Sequence, residues 1–390
     1  MTEVSGPEKE GDPYADIRPY SNLEAPMVLR RLARDQELAT TIAIWRLPRL
    51  RRLLPAAAYW LSRFWLLLVG RRLASVEDLQ NLIAPNLAKM IKKTSRFSVA
   101  GIDALDVTRS RVYVGNHRDI VMDAAYANYA LHRAGVKTLA IAIGDNLLSK
   151  PWVADLMRLN KSFVVKRNLS GPRALLAAAK QLSGYIRDSV SQDLNSIWIA
   201  HREGRAKDGR DVTERAVIKM LAMSRGQGET PQAVLDELDI LPLIISYELD
   251  PCDALKAAEL SAGKGYVKSE FEDVTSIARG ITGEKGCVHL QFGDALAPGL
   301  SVEEVAAEID AQMVIYYRLY ATNVWAWEWL HGESAPAEIT YHRGSVSETA
   351  FRSRLDAVPE AHRDWMLRMY ANPVIRAIEQ SATDRGVQCD

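Results

Sequence analysis

Four short apolar runs, each stopped by polar residues and separated by stretches of helical periodicity, limit this chain of 390 residues to few folds. The runs are Arg111 Val112 Tyr113 Val114, then Lys161 to Arg167 around Phe163 Val164 Val165, then Ser196 Ile197 Trp198 Ile199 Ala200, and Ile240 to Tyr247. Their length and their β-branched and aromatic content predict strands, and the segments between them predict helices. The implied class is α/β, a mixed β-sheet core flanked by helices, with chemistry along one edge of strand ends. Residues 1–13 read as a loose tail, 14–96 as a helical region that Pro85 interrupts, 97–297 as the α/β core and 298–390 as a helical addition.

The first run passes through Gly115 and Asn116 into His117 Arg118 Asp119 Ile120 Val121 Met122 Asp123 and then a helical pattern. In one continuous helix His117 and Asp123 would point about 240° apart, so they can meet only if the histidine precedes the helix. Asp119 is then the expected N-cap, and Asp123 returns to the same face four residues on. Either carboxylate could reach the imidazole, fix its tautomer and steady the imidazolium that forms when the other nitrogen takes a proton. The third run opens into His201 Arg202 Glu203 Gly204 Arg205 Ala206 Lys207 Asp208 Gly209, a charged loop with two glycines. His201 is read as structural.

In this order the blocks resemble the phospholipid and glycerol-phosphate O-acyltransferases, over roughly residues 95–295. The first block of that family is His, four residues, Asp; here Asp123 follows His117 after five and Met122 holds the strict aspartate position. The second resembles Phe163 Val164 Val165 Lys166 Arg167. The third, Glu203 Gly204 Arg205 Ala206 Lys207, is similar to the glycerol 3-phosphate members, and the fourth resembles Leu241 Pro242 Leu243. The resemblance implies an enzyme that moves a fatty acyl group from an acyl-CoA or acyl carrier protein thioester to a hydroxyl of glycerol 3-phosphate. It implies His117 as general base with Asp123 or Asp119 orienting it. Cations at two strand ends, Lys166, Arg167, Arg205 and Lys207, suit the acceptor's phosphate. Glu203 would hold an arginine or the acceptor hydroxyl, and Gly204 would let backbone approach the substrate. The same blocks allow 1-acylglycerol 3-phosphate as acceptor, or a membrane-associated binding protein without turnover.

Composition narrows the partners. Lys plus Arg and Asp plus Glu both number 49, so nothing marks a general nucleic-acid binder. Cys252, Cys287 and Cys389 have neither zinc nor disulfide spacing, which fits a reducing compartment, and no metal or other cofactor is expected. HExxH, Walker and GxSxG patterns are missing. The polar stretch to Asn22 gives no export signal. Residues 53–69 are the most apolar segment, flanked by Arg49, Arg51, Arg52, Arg71 and Arg72. Pro55 and a central Arg63 make a poor spanning helix, whereas Tyr59, Trp60 and Trp65 suit headgroup depth. The expected location is therefore the cytoplasmic face of a membrane, peripheral or monotopic; a core helix of an N-terminal bundle and an integral segment are the alternatives. The aromatics Tyr316, Tyr317, Tyr320, Trp325, Trp327 and Trp329 read as core packing ahead of an acyl channel.

Overall fold

The computed structural model describes residues 11–148, 150–192, 195–267 and 272–387. Most of the expected 1–13 tail, and Cys389, lie outside the described residues. The fold is α/β, a mixed β-sheet flanked by helices with helical additions at both ends. Its strands are β1 Ser95–Ala100, β2 Val112–Gly115, β3 Ala140–Gly144, β4 Ser162–Val165, β5 Ile197–Ala200, β6 Leu241–Tyr247 and β7 Gly286–Phe292. Two compact units divide the chain: Met1–Asn86 with Ala140–Tyr185, and Leu87–Leu139 with Ile186–Asp390.

In the second unit the strand order is β1-β7-β6-β2-β5. β5, β2 and β6 run parallel, β7 is antiparallel to β6, and β1 is parallel to β7. Every residue of β2 and of β6 is buried, which is why both read as unbroken apolar runs instead of alternating ones. Gly115 stands opposite Ala200 on one side and Leu243 on the other. The segments that leave β2 and β5 therefore start side by side. The C-terminal helices Ala321–His331, Glu348–Asp356 and Glu360–Val387 enclose a core around Phe351, Met366, Met369 and Val374. Trp327 is buried in it and Trp329 stacks on Phe351 at 5.5 Å, so these aromatics pack the core.

The first unit holds the parallel pair β3 and β4 and the helices Ala25–Arg34, Gln36–Arg46, Pro48–Leu53 and Pro55–Arg72. Helix Pro55–Arg72 buries Ala58, Ser62 and Leu66, four residues apart, and exposes Trp60, Leu61, Phe64 and Leu68. Arg63 bonds the Tyr59 hydroxyl and the Arg34 carbonyl. Among the described residues no helix is long and apolar enough to cross a membrane. The break expected at Pro85 does not occur, because helix Val76–Thr94 runs through it. A proline removes one intrahelical bond, and buried Leu79 before it and Ile91 after it anchor both halves.

Gly209 has φ +78°, and a Cβ there would stand 2.0 Å from the Met369 carbonyl oxygen on helix Glu360–Val387. Gly209→Ala should therefore lower stability by roughly 2 kcal/mol or more, from left-handed strain plus overpacking. Urea denaturation of the full chain measures it.

Candidate active site

β2 ends at Gly115, and the next helix, Met122–Arg133, begins only at Met122, so His117 precedes it. The intervening turn is shaped by two carboxylates. Asp119 Oδ1 accepts the backbone N–H groups of Val121 (3.0 Å) and Met122 (2.9 Å). The N-cap position itself is Val121, not Asp119 as expected: the chain makes one more turn first, and the Asp119 side chain reaches forward to the first helical N–H. Asp123 Oδ2 accepts three donors, His117 Nδ1 at 2.8 Å, Arg118 N at 2.7 Å and Asp119 N at 2.9 Å. Tyr247 donates its hydroxyl to Asp123 Oδ1 at 2.7 Å. Asp123 is thus the carboxylate on the imidazole, and Asp119 holds the backbone. Because Asp123 accepts from every other partner, Nδ1 carries the hydrogen and Nε2 keeps its lone pair. Nε2 makes no hydrogen bond among the described residues, and the His117 side chain is 16% exposed. The Trp198 ring stands edge to face with it at 5.6 Å.

Neighbouring groups lock this arrangement. Asn116 donates to the Ile245 carbonyl and accepts its N–H, clamping the end of β2 to β6. Asn116 and buried Arg118 both donate to Asp211, at 3.1 and 2.6 Å. Buried Lys256 donates to the Arg118 carbonyl at 2.7 Å and pairs with Asp250. Burial alone would raise the Asp250 carboxyl, but Lys256 outweighs it and holds the group below its ordinary value. Asp119 is pushed up by burial and then by the negative charge of Asp123. Burial, with Asp123 adding to it, lifts the Tyr247 phenol well above its usual range, so it stays a donor.

The loop after β5 crosses the same strand end. The N–H of His201 bonds the Gly115 carbonyl at 2.8 Å, and that of Ala206 bonds the His117 carbonyl at 2.9 Å. Glu203, Gly204, Arg205 and Lys207 are thereby brought to the histidine's turn. Gly204 adopts φ +72°, a conformation that favours glycine. Glu203 is exposed and Arg205 half-buried, near enough to Asp250 to lower its carboxyl. Lys207 is in an ion pair with Glu259. Lys166 and Arg167 follow β4 in the first unit, where Lys166 pairs with Asp16 and Gln181. No group of metal-ligating side chains occurs among the described residues.

Sequence reasoning took Asn116 only as a turn residue and missed Arg118, Asp211, Tyr247 and Lys256. For Tyr247 a signal existed, a phenol closing an otherwise aliphatic run. Asp211 had none, since its partners lie more than ninety positions away.

Residues 96–243 match the family model described as Acyltransferase. No curated protein matches the chain. Among solved structures it is similar to the 1-acyl-sn-glycerophosphate (LPA) acyltransferase, PlsC, from Thermotoga maritima, at 16% identity and a TM-score of 0.34, covering 70% of this chain and 94% of that one.

His201 is fully buried, and neither ring nitrogen has a partner among the described residues. Burial pushes its pKa down to about 4, against partial support from Asp211, with Arg202, His117 and Arg118 lowering it further. Below its ordinary value of 6.5 the unfolded chain binds a proton that the native site refuses until about pH 4. Stability held above that window is therefore lost as pH falls through it. The unfolding free energy should drop more between about pH 7 and about pH 5 in wild type than in His201→Gln, by ~2 kcal/mol, measured by urea titration.

Proposed function

Through residues 96–243 this chain belongs to the acyltransferase family, and on that premise we propose that it transfers a fatty acyl group from a thioester, acyl-CoA or acyl carrier protein, to a hydroxyl of glycerol 3-phosphate in phospholipid synthesis. The observation that carries the reading is the 2.8 Å contact of His117 Nδ1 with Asp123 Oδ2, which leaves Nε2 as the proton acceptor. His117 takes the acceptor hydroxyl's proton, the oxygen attacks the thioester carbonyl, the C–O bond forms as the C–S bond breaks, and the departing thiolate receives the proton. No enzyme nucleophile or metal takes part. Asp123 is the positioning residue, and Asp119 supports it by shaping the turn. Arg205, half-buried on the adjoining loop, is suited to the acceptor's phosphate, and Gly204 allows backbone to approach it. Lys207 already has Glu259, so it contributes by holding the loop more than by direct contact. Glu203 orients Arg205 or the acceptor hydroxyl.

Acyl transfer is measured from both thioesters to glycerol 3-phosphate and to its 1-acyl form. His117→Ala should lose on the order of 10² to 10⁴-fold in turnover, and Asp123→Asn should lose more than Asp119→Asn with circular dichroism unchanged. Arg205→Ala should raise the apparent KM for the acceptor. Equal activity of wild type and His117→Ala would sink the general-base reading, and folded wild type without turnover would favour a binding protein.

The enzyme works at the cytoplasmic face of a membrane as a peripheral or monotopic protein. Trp60 is 63% and Phe64 61% exposed, one helical turn apart on the face opposite the buried stripe. Trp60→Ser with Phe64→Ser should weaken co-sedimentation with anionic vesicles at least about tenfold while the folded signal is kept. Unchanged sedimentation would remove this helix from the membrane contact.

A further inference from the structure

A cavity of about 390 Å³ opens over the first residues of β1 and β7, apart from the histidine's turn but within the same unit. Arg96, Arg318 and Arg343 line it together with His342, Ser98 and Tyr320, and among the described residues no carboxylate does. Among the described residues none of the three guanidinium groups is in an ion pair. Tyr320 is only 2% exposed, and its hydroxyl has no hydrogen-bond partner among the described residues. A buried hydroxyl without a partner is costly unless something supplies an acceptor. Glu248, whose carboxylate stands against Gly344 at the cavity wall, is taken up by the N–H groups of Ser345, Val346 and Cys287 and by the Ser345 hydroxyl.

We propose that this cavity is a second anion site, which takes a phosphate group through Arg96, Arg318 and Arg343 with the Tyr320 hydroxyl as its buried donor. Three guanidinium groups and a phenol offer the forked and single N–H and O–H donors that a phosphate's oxygens accept. The positive charge is felt beside the cavity. Burial, with Arg318 adding to it, lowers the ring pKa of His342, and it lowers that of His289, which bonds Ser98, to about 4. Strand register places the site at the working end of the sheet. Ile245, which Asn116 clamps, is opposite Leu290, and Leu290 is opposite Val99; the cavity floor at Arg96 to Ser98 lies just beyond that level. Two to three strand spacings separate β2 from β7 and β1, on the order of 10–15 Å. The phosphate is therefore a different one from the acceptor's, and the site stands whether or not His117 is the base.

Cys287 lines the same cavity and is half-buried, so its alkylation reports occupancy. The rate of iodoacetamide modification at Cys287 is followed by peptide mass spectrometry in the full chain at constant ionic strength. Four probes are compared: inorganic phosphate, acetyl-coenzyme A, phosphatidylcholine vesicles, and the same vesicles containing phosphatidic acid. At least one phosphate-bearing probe should protect Cys287 saturably. The half-protecting concentration should rise about tenfold or more in Arg318→Gln and in the exposed Arg343→Gln, and severalfold in Tyr320→Phe. His117→Ala should leave protection unchanged, which separates this result from the fate of the catalytic reading. Protection best with acetyl-coenzyme A identifies a soluble phosphorylated ligand, protection only by phosphatidic acid vesicles a lipid headgroup, and protection best with inorganic phosphate the free ion. Absence of protection by every probe, or equal protection of wild type and both arginine variants, overturns the proposal.

Discussion

The carboxylate of Asp123 is the group on which the candidate active site depends. Four donors meet on its two oxygens: an imidazole, two consecutive backbone N–H groups and a phenol. A buried carboxylate is tolerable only with such partners, and its place in the first turn of helix Met122–Arg133 adds the favourable end of the helix dipole. The two backbone bonds matter as much as the imidazole bond. They draw Arg118 and Asp119 back over the helix start, and that curl turns His117 toward the carboxylate instead of out along the strand. The Tyr247 bond then fixes the helix to β6, so the histidine's orientation is tied to the centre of the sheet.

Much of the fold was legible because β2, β4, β5 and β6 lie in apolar surroundings and carry their burial in their composition. The other strands were not. β7 interleaves His289 and Gln291 with its apolar residues, β3 is an alanine-rich run, and β1 follows helix Val76–Thr94 without a turn residue between them. At the site, the spacing of His117 and Asp123 already required the helix to begin after the histidine. Which carboxylate would face the ring was open, because it depends on the irregular backbone from Asn116 to Val121, which no periodicity describes. Pro85 misled for a related reason: local propensity argues for a break, and packing on either side overrides it.

Charge pairing separates cations that hold structure from cations left for a ligand. The chain carries 49 of each sign, and many of its basic groups have a carboxylate of their own: Lys166 with Asp16, Lys207 with Glu259, Lys256 with Asp250, Arg118 with Asp211. A basic run in sequence therefore overstates the positive potential of its site, as the loop Arg202 to Lys207 illustrates. Arg96, Arg318 and Arg343 would not have been grouped from sequence at all, being spread over three distant segments. They become a feature only where β1, the approach to helix Ala321–His331 and the loop at Gly344 come together.

Among the histidines, the environment decides which can exchange a proton. His201 stands close to the same strand end as His117 and is bonded through its backbone to Gly115. Yet it is sealed from solvent, both its nitrogens lack partners among the described residues, and burial drives its pKa down to about 4. An imidazolium there would have no hydrogen-bond acceptor among the described residues and would feel Arg118 and Arg202, so burial and these cations disfavour a proton on the ring. His289 is excluded on similar grounds, being buried with Arg318 nearby. His117 differs in two respects that a general base requires: a carboxylate on one nitrogen to steady the charged form, and a second nitrogen engaged by nothing in the described structure. His201 is instead packed beneath the start of the loop that carries Arg205, its backbone tied to Gly115 and Glu214, which leaves His117 as the histidine of this strand end that suits the proposed general base.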